Sequence, residues 1–520
     1  MAVPYAVSRG VSRGVPRSVT DRLFGGSTSA AALFLAQYGP YGMVMDFTDA
    51  SVKIDDSTDV LDYESQGTIS TTTGLPLGPL SKLTYSAPSL KFTEQADGYI
   101  AGQAHNLYLN SAVPANQSIT TGMVTGGSYA ITLTGSVSIT LSGAATGTVT
   151  AGTTTFTAAT GTLTLGSTSG SGTVHVRRTP SVSTYVATTG AIVYDLPYVF
   201  SGGVRTGIQV ELAATNLALC SNDFTNASWV KSNLTAALTA TGPDNVANSA
   251  STLTATAANA TALQAITSGS AARVTSVYIK RRTGTGNIDL TQDNGSTWTT
   301  QTVTSSWTRV SLATVTSANP TVGIRIVTSG DEVDVYAFQH ETGTVVTSPI
   351  ITYAVAVLRA VDTPYILTSL FPSSITTFSM YCNYVLPSPA FNFPCAMQVY
   401  QASNATGNRA QIYHAASVGN YVTTFRVNAS LSGSAVGVSV GSGFAPLTSV
   451  KIMFAVQSGS NAACVNGGTV ATDAAAVVFA DLDRLSLSQA GSQHINGLIK
   501  SIAYFPERKA NATLQTMTTA

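Results

Sequence analysis

Charge is what this sequence has least of. Of 520 residues only 10% are charged, and 25 basic residues balance 25 acidic ones. So weak a field cannot neutralise many phosphates, and nucleic acid is not expected as a partner. Cysteine is scarce as well. Cys220, Cys382, Cys395 and Cys464 include no C-x-x-C pair and fall far short of a disulfide scaffold. Buried free thiols made in a reducing cytoplasm are the expectation, with a Cys382–Cys395 bridge as the alternative. No apolar run reaches membrane-span length, and the start of the chain lacks the apolar core of a secretory signal, so neither membrane insertion nor Sec export is expected. None of the five histidines lies in a G-x-S-x-G or H-E-x-x-H context. His340 and Glu341 are adjacent, and neighbours on a strand face opposite ways. Catalysis is therefore not expected. A polysaccharide depolymerase, the outside alternative, needs two carboxylates facing each other across a sugar, and carboxylates here are few and mostly in turns.

What is abundant is Thr, Ser, Val and Gly, the last at 45 residues. That composition fits short strands and tight turns rather than disorder. Two segments open and close alike. Asn106-Leu107-Tyr108-Leu109-Asn110-Ser111 is echoed by Asn216-Leu217-Ala218-Leu219-Cys220-Ser221, and Asp195-Leu196-Pro197-Tyr198-Val199 by Asp362-Thr363-Pro364-Tyr365-Ile366. Between the tags, stretches such as Tyr129 to Thr134 alternate apolar with hydroxyl residues, the period-two mark of a half-wet antiparallel sheet. The predicted fold is all-β: tandem antiparallel β-sandwiches behind an extended N-terminal arm. The expected divisions are an arm over 1–40, a β-rich region with the first sandwich over 41–205, a jelly roll over 206–350 and a last sandwich over 351–520. Arg9, Arg13, Arg17 and Arg22 make the arm basic, and it reads either as a docking segment or as a loose terminus.

Ser221-Asn222-Asp223-Phe224-Thr225-Asn226-Ala227-Ser228-Trp229, Ser276 to Lys280, Ser306 to Val310 and Val335 to Gln339 resemble a carbohydrate-binding jelly roll that recurs in structural proteins of tailed bacteriophages. The Gly/Thr-rich stretch from Thr134 to Gly147 is similar to a module found beside it in such proteins. Gly497 to Arg508 looks like the last strand of a concanavalin A-like, or laminin G-like, domain. The resemblance spans about residues 100–520. It implies a virion component, made in the bacterial host cytoplasm, with glycan recognition as a class. Tail fibre, head fibre and decoration protein all fit it.

Sugar rings stack on exposed aromatic planes. Of the three tryptophans, Trp229 and Trp307 are expected in the core, having apolar neighbours at strand starts. Trp298 sits beside a turn, with Asp293 and Asn294 near enough in sequence to bond sugar hydroxyls. It is the candidate glycan site. Asp331, Glu332 and Asp334 form an acidic cluster open to two readings, a structural calcium site or solvated turns. Asp55, Asp56 and Asp59 form a second. No other cofactor is expected. Lys280, Arg281 and Arg282, with Arg273, read as an anionic-glycan patch or a solvated hairpin tip. The expected function is a virion fibre or adhesin, docked by its arm on other virion proteins and binding host-surface polysaccharide. A homo-oligomer is expected, with a trimer favoured by the likeness to fibres. Capsid or tail decoration is the alternative.

Overall fold

The computed structural model describes residues 89–367 and most of 377–519, with strand backbone at 43–46, 51–54, 60–62 and 83–85. The chain is all-β, and its one α-helix among the described residues is Asn511–Thr519. The sheets are antiparallel throughout and pack as three sandwiches.

The first sandwich sets the strands Gln117–Ile119, Ser138–Gly143, Gly147–Val149 and Leu163–Ser169 against Ser128–Leu133, Gly152–Thr157 and Val174–Arg178. Alternation decides which side is core. Tyr129, Ile131 and Leu133 are buried against Ile139, Leu141 and Leu165, while Thr132 turns outward and bonds Thr153 across the strands at 2.9 Å. The second sandwich is built on two long strands, Ala271–Thr283 and Glu332–Thr342, paired along most of their length. Its centre is a stack of Phe224 on Trp229, 4.0 Å between centroids, with Phe338 edge-on to both. Trp229 is buried, as its apolar neighbours indicate.

The third sandwich is discontinuous. Its larger sheet takes Met43–Asp46 and Val204–Val210 as neighbours of one strand, Gly497–Phe505. Met43 lies opposite Tyr504, and Ile208 opposite Ile499. Its smaller sheet takes Leu83–Tyr85 beside Pro364–Leu367. The first sandwich is thus an insertion between Leu83–Tyr85 and Tyr198–Ser201, and the second an insertion between Val204–Val210 and Pro364–Leu367. The strand Val204–Val210 crosses the boundary expected at 205/206 and buries Ile208 and Val210 in the core of the third sandwich. Cys382 and Cys395 are both buried there as free thiols, and burial pushes the Cys395 thiol up to about 12. The bridge considered between them is not formed.

The duplicated opening proves to be a shared hydrogen-bond scaffold. Asn106, wholly buried, donates from Nδ2 to the carbonyls of Val174 and Val186 and accepts at Oδ1 from the N–H groups of Tyr108 and Val176. Asn216 repeats this with Phe338, Ile350, Ala218 and His340. Gln117 clasps the backbone of Leu109 at both its N–H and its carbonyl, and Gln264 clasps Leu219 in the same way. Thr188 and Thr352 close the two loops by donating to the carbonyls of Tyr108 and Ala218 and accepting from Ser111 and Ser221. Asn110 and Cys220 hold the left-handed turn that both loops need, with φ of 52° and 50°.

Candidate functional site

The residues singled out as a glycan site are spent on local structure. Asp293 Oδ1 accepts from the Thr297 N–H at 2.9 Å and the Thr291 hydroxyl at 3.0 Å. These donors outweigh the effect of desolvation and hold its carboxyl below the ordinary value. Asn294 Oδ1 accepts from the Thr321 N–H. The Arg325 guanidinium lies 4.5 Å from the Trp298 ring centre and is itself held by Asp289 at 2.6 Å, so one face of the indole is taken. The three residues therefore share a turn, and none of them lines the cleft described below.

The acidic cluster is divided among cations and donors. Asp331 takes Arg281 at 3.2 Å and the Gly286 N–H at 2.7 Å. Asp334 takes Arg282 at 3.0 Å and Lys280 at 3.3 Å, and Glu332 accepts from the Thr254 hydroxyl. Among the described residues no group of three or more His, Cys, Asp or Glu is placed to hold a metal ion. The same pairs consume the basic turn at Lys280 to Arg282, and Arg273 is buried, donating to the carbonyls of Ser317 and Gly269. Arg9, Arg13, Arg17 and Arg22 lie outside the described residues, as do Asp55, Asp56 and Asp59.

A different site lies between the second and third sandwiches, closed on one side by a separate hairpin. It is a cleft of about 390 Å³, within the usual range for ligand pockets, roughly 300–1,000 Å³. One wall is the hairpin that precedes the first sandwich, Phe92–Glu94 paired with Ile100–Gly102. Thr93 anchors this hairpin to the third sandwich by donating to the Tyr198 carbonyl at 2.7 Å. A second wall comes from Val199, Phe200 and Gln209 of the third sandwich, and the remainder from Tyr278, Trp307, Arg309 and the segment 346–349 of the second.

Each part of the cleft is fixed from behind. Phe92 and Ile100 are buried in one apolar cluster with Tyr336 and Ile351, against which Tyr278 and Trp307 pack. Trp307 is half-buried, not in the core as expected, and the Lys280 ammonium sits 5.0 Å from its ring centre. Arg309 lies over Tyr278 at 5.4 Å and donates to the Thr347 carbonyl at 2.7 Å and the Ser276 hydroxyl at 3.0 Å. Burial raises the Tyr278 phenol above its ordinary value, so at neutral pH it carries its proton and can donate.

The floor is held by two carboxylates acting in parallel. Glu341 accepts both the N–H and the hydroxyl of Thr347, at 2.9 and 2.5 Å. Glu211 accepts both the N–H and the hydroxyl of Ser348, each at 2.6 Å. Burial pushes the Glu341 carboxyl up. For Glu211 burial has the same sense, but Arg359, Lys91 and Ser348 outweigh it and hold that carboxyl below the ordinary value. His340 and Glu341 do face opposite sides of their strand. The imidazole meets the Thr275 hydroxyl at 2.8 Å while the carboxylate meets Thr347.

Aromatic planes beside Arg309, Gln209 and Glu94 suit a ligand with apolar C–H faces and hydroxyl edges. No short motif announces this cleft, because its walls come from 92–100, 199–211 and 243–349. The available signal is indirect: the closing tags lead the chain back to the third sandwich, and the cleft opens at that junction.

A scan against family models finds no match, and a search of curated proteins finds none. Among solved structures the chain is similar to a native heptameric SAP-like pentraxin from Limulus polyphemus, at 12% identity with a TM-score of 0.22, over 27% of this chain and 69% of that one. A likeness this slight does not bear on fold or function.

Proposed function

We propose that this chain is a bacteriophage virion protein of the fibre or adhesin type, and that it binds host-surface glycan in the cleft between its second and third sandwiches. The observation that carries the ligand class is the set of aromatic side chains Phe200, Tyr278 and Trp307 lining one cleft together with Arg309, Gln209 and Glu94. Pyranose C–H faces stack on such planes, and vicinal hydroxyls bridge to planar Arg, Gln and Glu groups. The virion setting is supported by the resemblance of residues 100–520 to phage modules. The reading is of binding rather than cleavage, since the carboxylate of Glu211 is already engaged by Ser348 and Arg359. Several copies, a trimer in this proposal, would raise weak single sites to useful avidity.

The test uses the full chain, because the cleft takes its walls from the hairpin at 92–102 and from the second and third sandwiches. Fluorescently labelled protein is titrated onto intact host cells, with and without competing surface polysaccharide. Saturable binding that polysaccharide removes, and that Trp307→Ala weakens, is the expected result. A folded, correctly assembled protein that binds neither cells nor polysaccharide would overturn the glycan reading and favour decoration. Shortening of the polysaccharide on incubation would point instead to a depolymerase.

A further inference from the structure

Behind the cleft floor lies an arrangement that ligand binding does not use. Lys91 and Asp362 stand 271 positions apart in sequence, yet Nζ of one touches Oδ1 of the other and neither side chain has any solvent exposure. The second carboxyl oxygen, Oδ2, accepts the backbone N–H of Glu211 at 2.7 Å. His494 fixes the backbone from the far side, its Nε2 lying 2.9 Å from the Asp362 carbonyl. Lys91 is held by Gln103, which accepts the Lys91 N–H at its side chain and donates its own N–H to the Lys91 carbonyl. An amine and a carboxyl are thus locked together, out of water, with a donor already aimed at the oxygen where charge would develop.

We propose that Lys91 and Asp362 join in an intramolecular isopeptide bond, formed by the folded chain itself once the fold has closed around them. Burial is the dominant influence on both groups. It draws the Lys91 ammonium down and the Asp362 carboxyl up from their ordinary values, against their mutual attraction, and so eases the proton transfer from ammonium to carboxylate that precedes attack. The lone pair of Nζ adds to Cγ of Asp362. The C=O electrons move to Oδ2, where the Glu211 N–H stabilises them as an oxyanion hole does. The proton that Nζ sheds is taken up by Oδ1. The C–Oδ1 bond then breaks, water leaves, and the electrons on Oδ2 restore the carbonyl. One N–C bond forms, one C–O bond breaks and one water is released, with nothing oxidised or reduced. Holding the two groups in contact converts a bimolecular condensation into a unimolecular one. The charged neighbours Glu211 and Arg359 interact with both groups and with each other, at 3.2 Å from Nη1 to Oε2.

The test is an intact mass of the full chain under denaturing conditions, followed by proteolysis. The wild type is expected one water lighter than its sequence, with a branched peptide uniting the segments around Lys91 and Asp362. Lys91→Arg is expected at full sequence mass with two separate peptides. A wild-type chain at full sequence mass, from a sample folded by circular dichroism, would overturn the proposal. So would a water loss that maps to any other pair. Both readouts come from the wild type, so a variant that fails to fold does not blur them. Neither depends on glycan binding.

Discussion

Replacing Asn216 by alanine should cripple the second sandwich alone. The side chain is wholly buried and serves four backbone groups: the carbonyls of Phe338 and Ile350, at 3.0 and 2.8 Å, and the N–H groups of Ala218 and His340, at 3.1 and 3.0 Å. Each buried group left without a partner costs about 1–3 kcal/mol. If water reaches half of them, the other half still cost about 2–6 kcal/mol, and about 4 is the expectation, at the upper end of single-substitution effects. Asn216→Asp should do no better, because it turns a second oxygen toward two carbonyls that need a donor. All three tryptophans belong to this sandwich, so urea unfolding followed by tryptophan fluorescence reports on it selectively. Asn216→Ala should lower the midpoint of that transition. Asn106→Ala, its counterpart in the first sandwich, should shift a transition seen by circular dichroism and leave the tryptophan signal in place. A loss below about 1 kcal/mol for both variants would refute the idea that these asparagines organise their modules.

Trp307→Ala should weaken glycan binding at least about tenfold, the 1.4 kcal/mol expected of one stacked aromatic, whereas Trp298→Ala should leave it unchanged; isothermal titration with purified polysaccharide separates the two. Trp229→Ala empties the centre of the second core and should cost about 3–5 kcal/mol in denaturant unfolding without altering the other modules. Acid should destabilise every sandwich at once. Burial holds His105 neutral down to about 3, and His340 and His494 down to about 4, one histidine for each sandwich. Their folded values lie below the ordinary 6.5, so on acidification the unfolded chain takes protons first. The stability is intact above pH 6.5 and drains as pH falls toward 4, by roughly 3 kcal/mol for each histidine at the acid end. Denaturation midpoints that stay flat between pH 7 and 4.5 would contradict this.

What was legible in the sequence is what lies close together in it. Period-two alternation is a property of single strands, so Ser128–Leu133 and Val174–Arg178 show their buried faces directly. The duplicated openings are contiguous, so Asn106 and Asn216 could be matched by eye. Their partners could not. Gln117 lies 8 residues from Leu109, but Gln264 lies 45 from Leu219, because the second module interposes further strands. Strand partners across an insertion are beyond pattern reading. Val204–Val210 alternates like any half-buried strand, and nothing in it says that its neighbour is Gly497–Phe505. The candidate glycan residues are occupied locally for a related reason. Turn residues such as Asp293 and Asn294 bond their own backbone as readily as a ligand, and Trp298, which like Trp307 has a cation over its ring, lies outside the cleft. Trp307 opens a strand, which by itself suggests a core position, whereas its place at a module junction leaves it half-buried.

The nesting of the sandwiches also sets an order of events during synthesis. Every strand of the first module is made before Tyr198, and every strand of the second before Pro364, so each can complete its own sheets soon after it leaves the ribosome. The third cannot. Met43–Asp46 can pair at once with Ser51–Ile54, and Val204–Val210 with Tyr198–Ser201, but the other edge of each must wait until Gly497–Phe505 has been translated. Until then they present open edges that another nascent chain could capture. Yield should therefore depend on translation rate and on chaperone supply more than the stability of the finished protein would indicate.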